Sequence, residues 1–447
     1  MQIPSRRARF LESLGRCPRP VAGILAAVGL LHFVMLVRGF THPDAVLLGD
    51  RSPGRLAMAQ RFLAGLTDGG LTDVLTHNGV PGDYVWHAFA FWLTGGSLGW
   101  VAVLQCALLV FSLHELWKMA ETLGATDAQR WIAIAAYVAI PVDIAAPHVL
   151  NSEAWFTPLL LIGTRRLLDL CAGRATLRSA TVGGICLGLG LLTRPEILPW
   201  LVVATLAVSI AALWGRLRVS RLRVAAWLAM LAVLPALWIG YQGAQTGVYG
   251  LGRSGADTAT TIALRTNEVQ SYAPQVKVIG DPGRMATLAA AAAQAPLTAA
   301  RIVAGHVAKT VFMPENLDVP AYFGLFQRTG VRATLVESQG LLGAVQSVFA
   351  EMPALVSWLM AEIALFALWW LVVLAGVWRV LKARQTEPIG TLLLLALPAL
   401  CVLERVVSEG NSRKRSVVDF ALALFFAFGW PWAVQRLRTL RGVRAPG

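Results

Sequence analysis

Charged residues are scarce in this 447-residue chain: Asp, Glu, Lys and Arg together make up only 14%. A typical soluble domain carries about 25%. That scarcity excludes a disordered chain and a coiled coil, and it argues strongly against a soluble enzyme of this length. Cysteine is also sparse. The five cysteines are Cys17, Cys106, Cys171, Cys186 and Cys401, with no CxxC pair among them, so neither a disulfide framework nor a structural zinc is expected. Lysine occurs only at 118, 277, 309, 382 and 414. The chain contains no P-loop, no GxGxxG after a strand and no HExxH.

Apolar residues, by contrast, are plentiful. They make up 56% of the chain, and they fall in repeated stretches of a length that crosses a bilayer. The predicted fold class is an all-α polytopic membrane protein with about ten transmembrane helices. Candidate spans lie at about 21–38, 97–116, 131–149, 154–170, 180–193, 197–214, 224–243, 353–378, 389–406 and 416–434. A shorter segment at 84–96 would dip into the membrane or lie on it. The arginines ahead of the first span, Arg6, Arg7, Arg9, Arg16 and Arg19, mark that span as an anchor rather than a cleaved signal.

The formal charge is +14. A soluble protein this basic would suggest nucleic acid, but here the basic residues follow membrane topology and no nucleic-acid partner is expected. With the N-terminus placed in the cytoplasm, the loops at 117–130, 165–179, 215–223 and 379–388 and the tail after 434 are all inside. They hold Arg165, Arg166, Arg174 and Arg178, then Arg216, Arg218, Arg221 and Arg223, then Arg379, Lys382 and Arg384, then Arg436, Arg438, Arg441 and Arg444. This is the pattern of the positive-inside rule, and it puts both termini in the cytoplasm. It also divides the chain into an N-terminal membrane module, 1–243, that includes a first outer loop at 39–96. An outer region with surface helices follows at 244–352, and then C-terminal spans and a tail at 353–447. An outer segment of over a hundred residues is uncommon unless it is structured or functional. Within it, 285–312 reads as one or two surface helices, with Arg301 and Lys309 sharing a face on the stretch 297–312.

Polar groups gather at the outer ends of the spans. Asp50, beside Ser52-Pro53-Gly54, reads either as a turn or N-cap residue or as a general base. Asp44 and Glu153 are further candidate bases. Glu153 follows Asn151-Ser152, and Arg194 and Glu196 flank Pro195; both connections are so short that these side chains must lie close to the membrane surface. Helix capping and local pairing would account for them equally well. The loop Gly410-Asn411-Ser412-Arg413-Lys414-Arg415 is basic yet outside, against the rule the rest of the chain obeys. An anionic ligand there would explain it, since guanidinium and ammonium groups bind phosphate; contact with lipid headgroups would too.

Several stretches together resemble the GT-C superfamily of membrane glycosyltransferases that use lipid-linked sugars. The resemblance is strongest to bacterial members similar to protein O-mannosyltransferases and aminoarabinose transferases. It is carried by Gly49-Asp50 through Ala64-Gly65, by Gly79-Val80-Pro81-Gly82-Asp83-Tyr84, by Asn151 to Phe156, by Gly188 to Glu196 and by Gly410 to Arg415. Two features depart from the family pattern: Arg51 stands where a second acid is common, and Arg413-Lys414-Arg415 replaces an Arg-Tyr before a proline.

The resemblance implies inverting transfer of a sugar from a polyprenyl-phosphate donor to a glycan, lipid or protein acceptor, at the outer face of a bacterial inner membrane. On that reading Asp50, Asp44 or Glu153 is the base. Arg194, Arg405, Arg413, Lys414 and Arg415 hold the donor phosphate, and Glu196 and His77 lie on the acceptor side. No cofactor is expected, and a divalent metal is not indicated. Membrane lipids are the other expected partners. A flippase or transporter of an anionic or sugar-linked lipid would use the same basic groups without breaking a bond, although transporters more often show repeated halves and broken midplane helices.

Overall fold

The computed structural model describes residues 17–48, 52–68, 80–247, 249–251, 266–277, 285–312, 319, 322–323, 353–382, 388–408 and 418–440, and among them there are helices and turns but no strand. In chain order the helices are α1 (Arg19–Thr41), α2 (Ser52–Asp68), α3 (Pro81–Leu93), α4 (Leu98–Thr122), α5 (Asp127–Val138), α6 (Pro141–Ala145), α7 (Glu153–Cys171), α8 (Leu177–Thr193), α9 (Leu198–Leu213), α10 (Arg221–Thr246), α11 (Met285–Gln294), α12 (Pro296–Phe312), α13 (Pro353–Lys382), α14 (Pro388–Ser408) and α15 (Asp419–Leu440). Single 3₁₀ turns at Pro43–Leu47, Ala146–His148 and Pro195–Ile197 connect them.

Local sequence sets the helix starts. The Ser97 hydroxyl accepts from the Trp100 backbone N–H at the start of α4, and Thr176 does the same for Ser179 at α8. Thr126 and Gln129 form a reciprocal capping box at α5. In α1 only Val21, Met35 and Gly39 are buried, as fits a helix that turns most of its apolar surface to lipid.

Among the described residues, six helical stretches are long and apolar enough to cross a membrane: Arg19–Thr41, Leu98–Thr122, Pro195–Leu213, Arg221–Gln245, Ala364–Lys382 and Asp419–Leu437. The molecule is therefore a multi-pass, all-helical membrane protein. A seventh crossing is possible if Ala286–Gln294 and Pro296–Gly305, bent by 112°, act as one unit. The remaining expected spans are helical but differ in kind. The stretch 131–149 is broken into α5, α6 and a 3₁₀ turn. The stretch 154–170 lies in α7, which carries Arg165, Arg166 and Asp169. The stretch 180–193 lies in α8, whose 17 residues reach about 26 Å, short of a full hydrocarbon core. In α14 the apolar part is limited to Ile389–Cys401.

Small residues let the helices approach closely, the usual device where lipid supplies no hydrophobic drive. A Cβ at Gly188 would lie 2.9 Å from the Leu231 carbonyl oxygen, and one at Gly184 would collide with that of Trp227, so α8 lies directly on the backbone of α10. Gly376 of α13 and Gly429 of α15 meet in the same way, each against the other helix's backbone.

Charge locks one end of the bundle. Arg165 Nε of α7 lies 2.5 Å from Glu115 Oε2 of α4, and its Nη1 lies 3.3 Å from Asp169 Oδ2. Lys118 and Arg174 add weaker pairs at 3.8 Å to Glu115 and 3.9 Å to Asp169. Because α4 and α7 run parallel, with Gln105 near the start of α7 and Thr122 near its end, this puts the loops at 117–130 and 165–179 together at one end, in agreement with the charge pattern. The connections at 48–52, 149–153 and 193–196 lie at the other end.

Candidate functional site

At that other end, three stretches distant in sequence converge. The Leu150 backbone N–H donates to the Val46 carbonyl at 2.9 Å, tying the 3₁₀ turn Pro43–Leu47 to the turn ahead of α7. The buried Ser52 hydroxyl donates to the Leu150 carbonyl at 2.7 Å, and Arg55 Nη2 donates to Ser152 Oγ at 3.3 Å. Asp50 itself lies outside the described residues, but the chain on both sides of it is held against 150–152. That turn leads directly into Glu153.

Glu153 in turn faces Arg194, which caps the end of α8. Glu153 Oε1 lies 2.5 Å from Arg194 Nη1, and Glu196 Oε2 lies 3.4 Å from Arg194 Nε. The Arg194 guanidinium also stands over the Phe156 ring, 5.9 Å from its centroid. Its side chain is 10% exposed, so it is desolvated but reachable. Two carboxylates around one guanidinium leave a local charge of −1.

The third stretch is the start of α3. A Cβ on Gly82 would sit 2.5 Å from Thr193 Oγ1 and 2.7 Å from the Leu192 carbonyl, so only glycine lets α3 lie against the end of α8 beside Arg194. From the same helix, Trp86 stacks on Trp155 of α7, ring centroids 5.6 Å apart and planes 4° apart. These rings form an aromatic shelf next to the charged cluster. Behind Glu153 a narrow cleft is lined by Gln105, Ser112, Tyr137, Asp143 and Thr157.

Of the residues singled out in the sequence, the structure brings Glu153, Arg194 and Glu196 into one cluster. Asp44 is exposed on its 3₁₀ turn. Arg405 falls in the last turns of α14, where only the helix is described. His77, Arg413, Lys414 and Arg415 lie outside the described residues, as Asp50 does.

Sequence reasoning passed over Arg38. Its Nε donates to the Tyr322 carbonyl at 2.6 Å and its guanidinium stands 6.0 Å from the Phe323 ring, joining α1 to residues 322–323. Burial pushes the Tyr322 phenol up to about 12, so it remains a donor, and its hydroxyl gives a 2.8 Å hydrogen bond to the Met35 carbonyl. A lone arginine near the end of an apolar span was the only signal for this contact.

No family model matches the chain, and no curated protein matches it. Among solved structures, it is similar to ArnT from Cupriavidus metallidurans bound to undecaprenyl phosphate. The identity is 16%, the match covers 93% of this chain and 80% of that one, and the TM-score is 0.41. At that level of likeness, the functional reading rests on this chain's own residues.

Proposed function

We propose that this protein is a membrane glycosyltransferase of the bacterial inner membrane. On this reading it moves a sugar from a polyprenyl-phosphate donor to an acceptor hydroxyl at the outer face, with inversion. One observation carries the reading: both flanks of Asp50 are anchored to the turn that presents Glu153 to Arg194. This anchoring supports a reading in which Asp50 as base and Arg194 as phosphate-binding cation work in one neighbourhood.

The chemistry follows from the charges. The donor's tail stays in lipid and its phosphate rests at the boundary. The acceptor oxygen attacks the anomeric carbon from the face opposite the phosphate, and the sugar–phosphate bond breaks. Asp50 accepts the hydroxyl proton. The leaving phosphate gains negative charge, which Arg194 with Arg413, Lys414, Arg415 and Arg405 stabilises. Glu153 and Glu196 hold the Arg194 fork in place, and the second outer region, 244–352, shapes the acceptor side.

The test is a transfer assay with a radiolabelled polyprenyl-phosphate sugar and purified protein. Asp50→Asn should abolish transfer while leaving donor binding nearly intact. Transfer by Asp50→Asn at the wild-type rate would remove Asp50 from the reaction. Donor that crosses the bilayer unchanged in vesicles, with no sugar released to any acceptor, would favour a flippase.

A further inference from the structure

A second polar cluster lies apart from the charged one, and it consists of metal ligands. His32 of α1 and His148 of the 3₁₀ turn Ala146–His148 face each other, with Nδ1 and Nε2 2.7 Å apart. Cys106 of α4 completes the group, its Sγ 3.9 Å from His148 Nε2. All three ligating atoms lie within 4.8 Å of one another. Neither histidine nor the cysteine takes part in the proposed transfer.

The three residues come from three separate segments, yet they reach one depth. His32 stands nine residues before the end of α1 at Thr41, and Cys106 eight residues after the start of α4 at Leu98. At the helical rise those offsets are about 13 Å and about 12 Å. The His148 backbone is clamped on both sides, because Gln105 Nε2 donates to the Pro147 carbonyl at 3.2 Å and to the Val149 carbonyl at 3.1 Å. The Tyr322 ring lies over His148, with centroids 5.9 Å apart.

We infer that His32, Cys106 and His148 form a binding site for monovalent copper. Donor chemistry points this way, since a thiolate with imidazoles suits copper(I) or zinc rather than calcium or magnesium. Charge then separates the two ions. One thiolate and two neutral imidazoles around Cu⁺ make a neutral complex, whereas Zn²⁺ would leave a positive charge in a low-dielectric interior, which is costly.

The geometry needs little adjustment. With metal–nitrogen bonds of about 2.0 Å and a metal–sulfur bond of about 2.3 Å, a trigonal site places the nitrogens about 3.5 Å apart and each about 3.7 Å from sulfur. The Cys106–His148 spacing is close to that already, so the imidazole pair opens by about 0.8 Å. On binding, the Cys106 thiol releases its proton to solvent and its sulfur forms the bond to Cu⁺; no electron is transferred. The bound ion ties α1, α4 and the turn before α7 together.

The experiment uses the full chain in detergent, stripped with a chelator and titrated anaerobically with Cu⁺ against a chromophoric copper(I) competitor. A single ion per chain is expected, together with an ultraviolet thiolate-to-copper band and an X-ray absorption signature of two nitrogens and one sulfur. Cys106→Ala and His148→Ala should each lose the ion, while Cys17→Ala keeps it. Copper should raise the wild-type melting midpoint and leave that of Cys106→Ala unchanged. The proposal is overturned if wild type binds no copper against the competitor, if Cys106→Ala retains the ion, or if stripped protein takes up Zn²⁺ in preference to Cu⁺. Should Cys106→Ala not fold, the absorption spectrum of wild type decides alone: any ligand set other than two nitrogens and one sulfur refutes the site.

Discussion

Arg194 and Glu153 sit 2.5 Å apart, one ending α8 and the other starting α7, and both lie beside the turn that anchors the flanks of Asp50. The pair fixes the guanidinium in direction while leaving 10% of its side chain exposed. Arg194→Lys keeps the charge but loses the planar fork that meets two carboxylates and the Phe156 ring. Donor affinity should fall by about tenfold, equivalent to about 1.4 kcal/mol, with little change in melting midpoint. Titration of the protein's tryptophan fluorescence with polyprenyl phosphate measures this, and an affinity equal to wild type would take Arg194 out of the donor site.

Neutralising Arg413 and Lys414 tests the rest of the phosphate clamp. Because the cluster around Arg194 already carries one excess negative charge, donor binding should depend on this loop and weaken further as salt rises. The double alanine variant should show a smaller salt dependence than wild type in the same titration. Identical salt curves for the two proteins would assign the loop to lipid headgroups or topology.

At the opposite end, Glu115→Ala should be among the most damaging single changes in the chain. It leaves the Arg165 guanidinium, 8% exposed, without its principal counter-charge, a loss of about 3–5 kcal/mol for a buried pair broken on one side. Thermal unfolding in detergent should show a marked drop, and adding Arg165→Met should recover much of it. A double variant no more stable than Glu115→Ala would mean that the pair is not coupled.

Gly82→Ala adds one methyl group where the Thr193 hydroxyl and the Leu192 carbonyl leave no room. The start of α3 must move away from Arg194, so both melting midpoint and transfer should fall. Gly54→Ala in α2 is the control: its added Cβ meets nothing within 4 Å, and alanine favours a helix by up to about 1 kcal/mol. Equal effects from the two substitutions would refute the close approach of α3 and α8.

Tyr322→Phe removes the hydrogen bond to the Met35 carbonyl, which keeps its own partner within α1. A loss of about 0.5–1.5 kcal/mol is expected, seen as a lower melting midpoint and as faster proteolysis of the segment that carries residue 322. Proteolysis at the wild-type rate would show that other contacts hold this segment.

The sequence by itself determined the solvent in which the helices sit. Apolar runs and the one-sided arginines fix a multi-pass helical membrane protein and separate its two ends, because hydropathy and loop charge act residue by residue and need no knowledge of packing. The same information does not register that a helix is short, as in α8, or broken, as between α5 and α6, since a window average does not see where backbone hydrogen bonds stop. It also marked Glu153, Arg194 and Glu196 as polar groups in short turns. Only the tertiary structure decided that the first two pair with each other, that Glu115 meets Arg165, and that His32, Cys106 and His148 share one point. Those meetings depend on which helix faces touch, and glycines such as Gly82, Gly184 and Gly376 set that by letting particular backbones come close. No spacing along the chain encodes a contact across 42 or 116 residues.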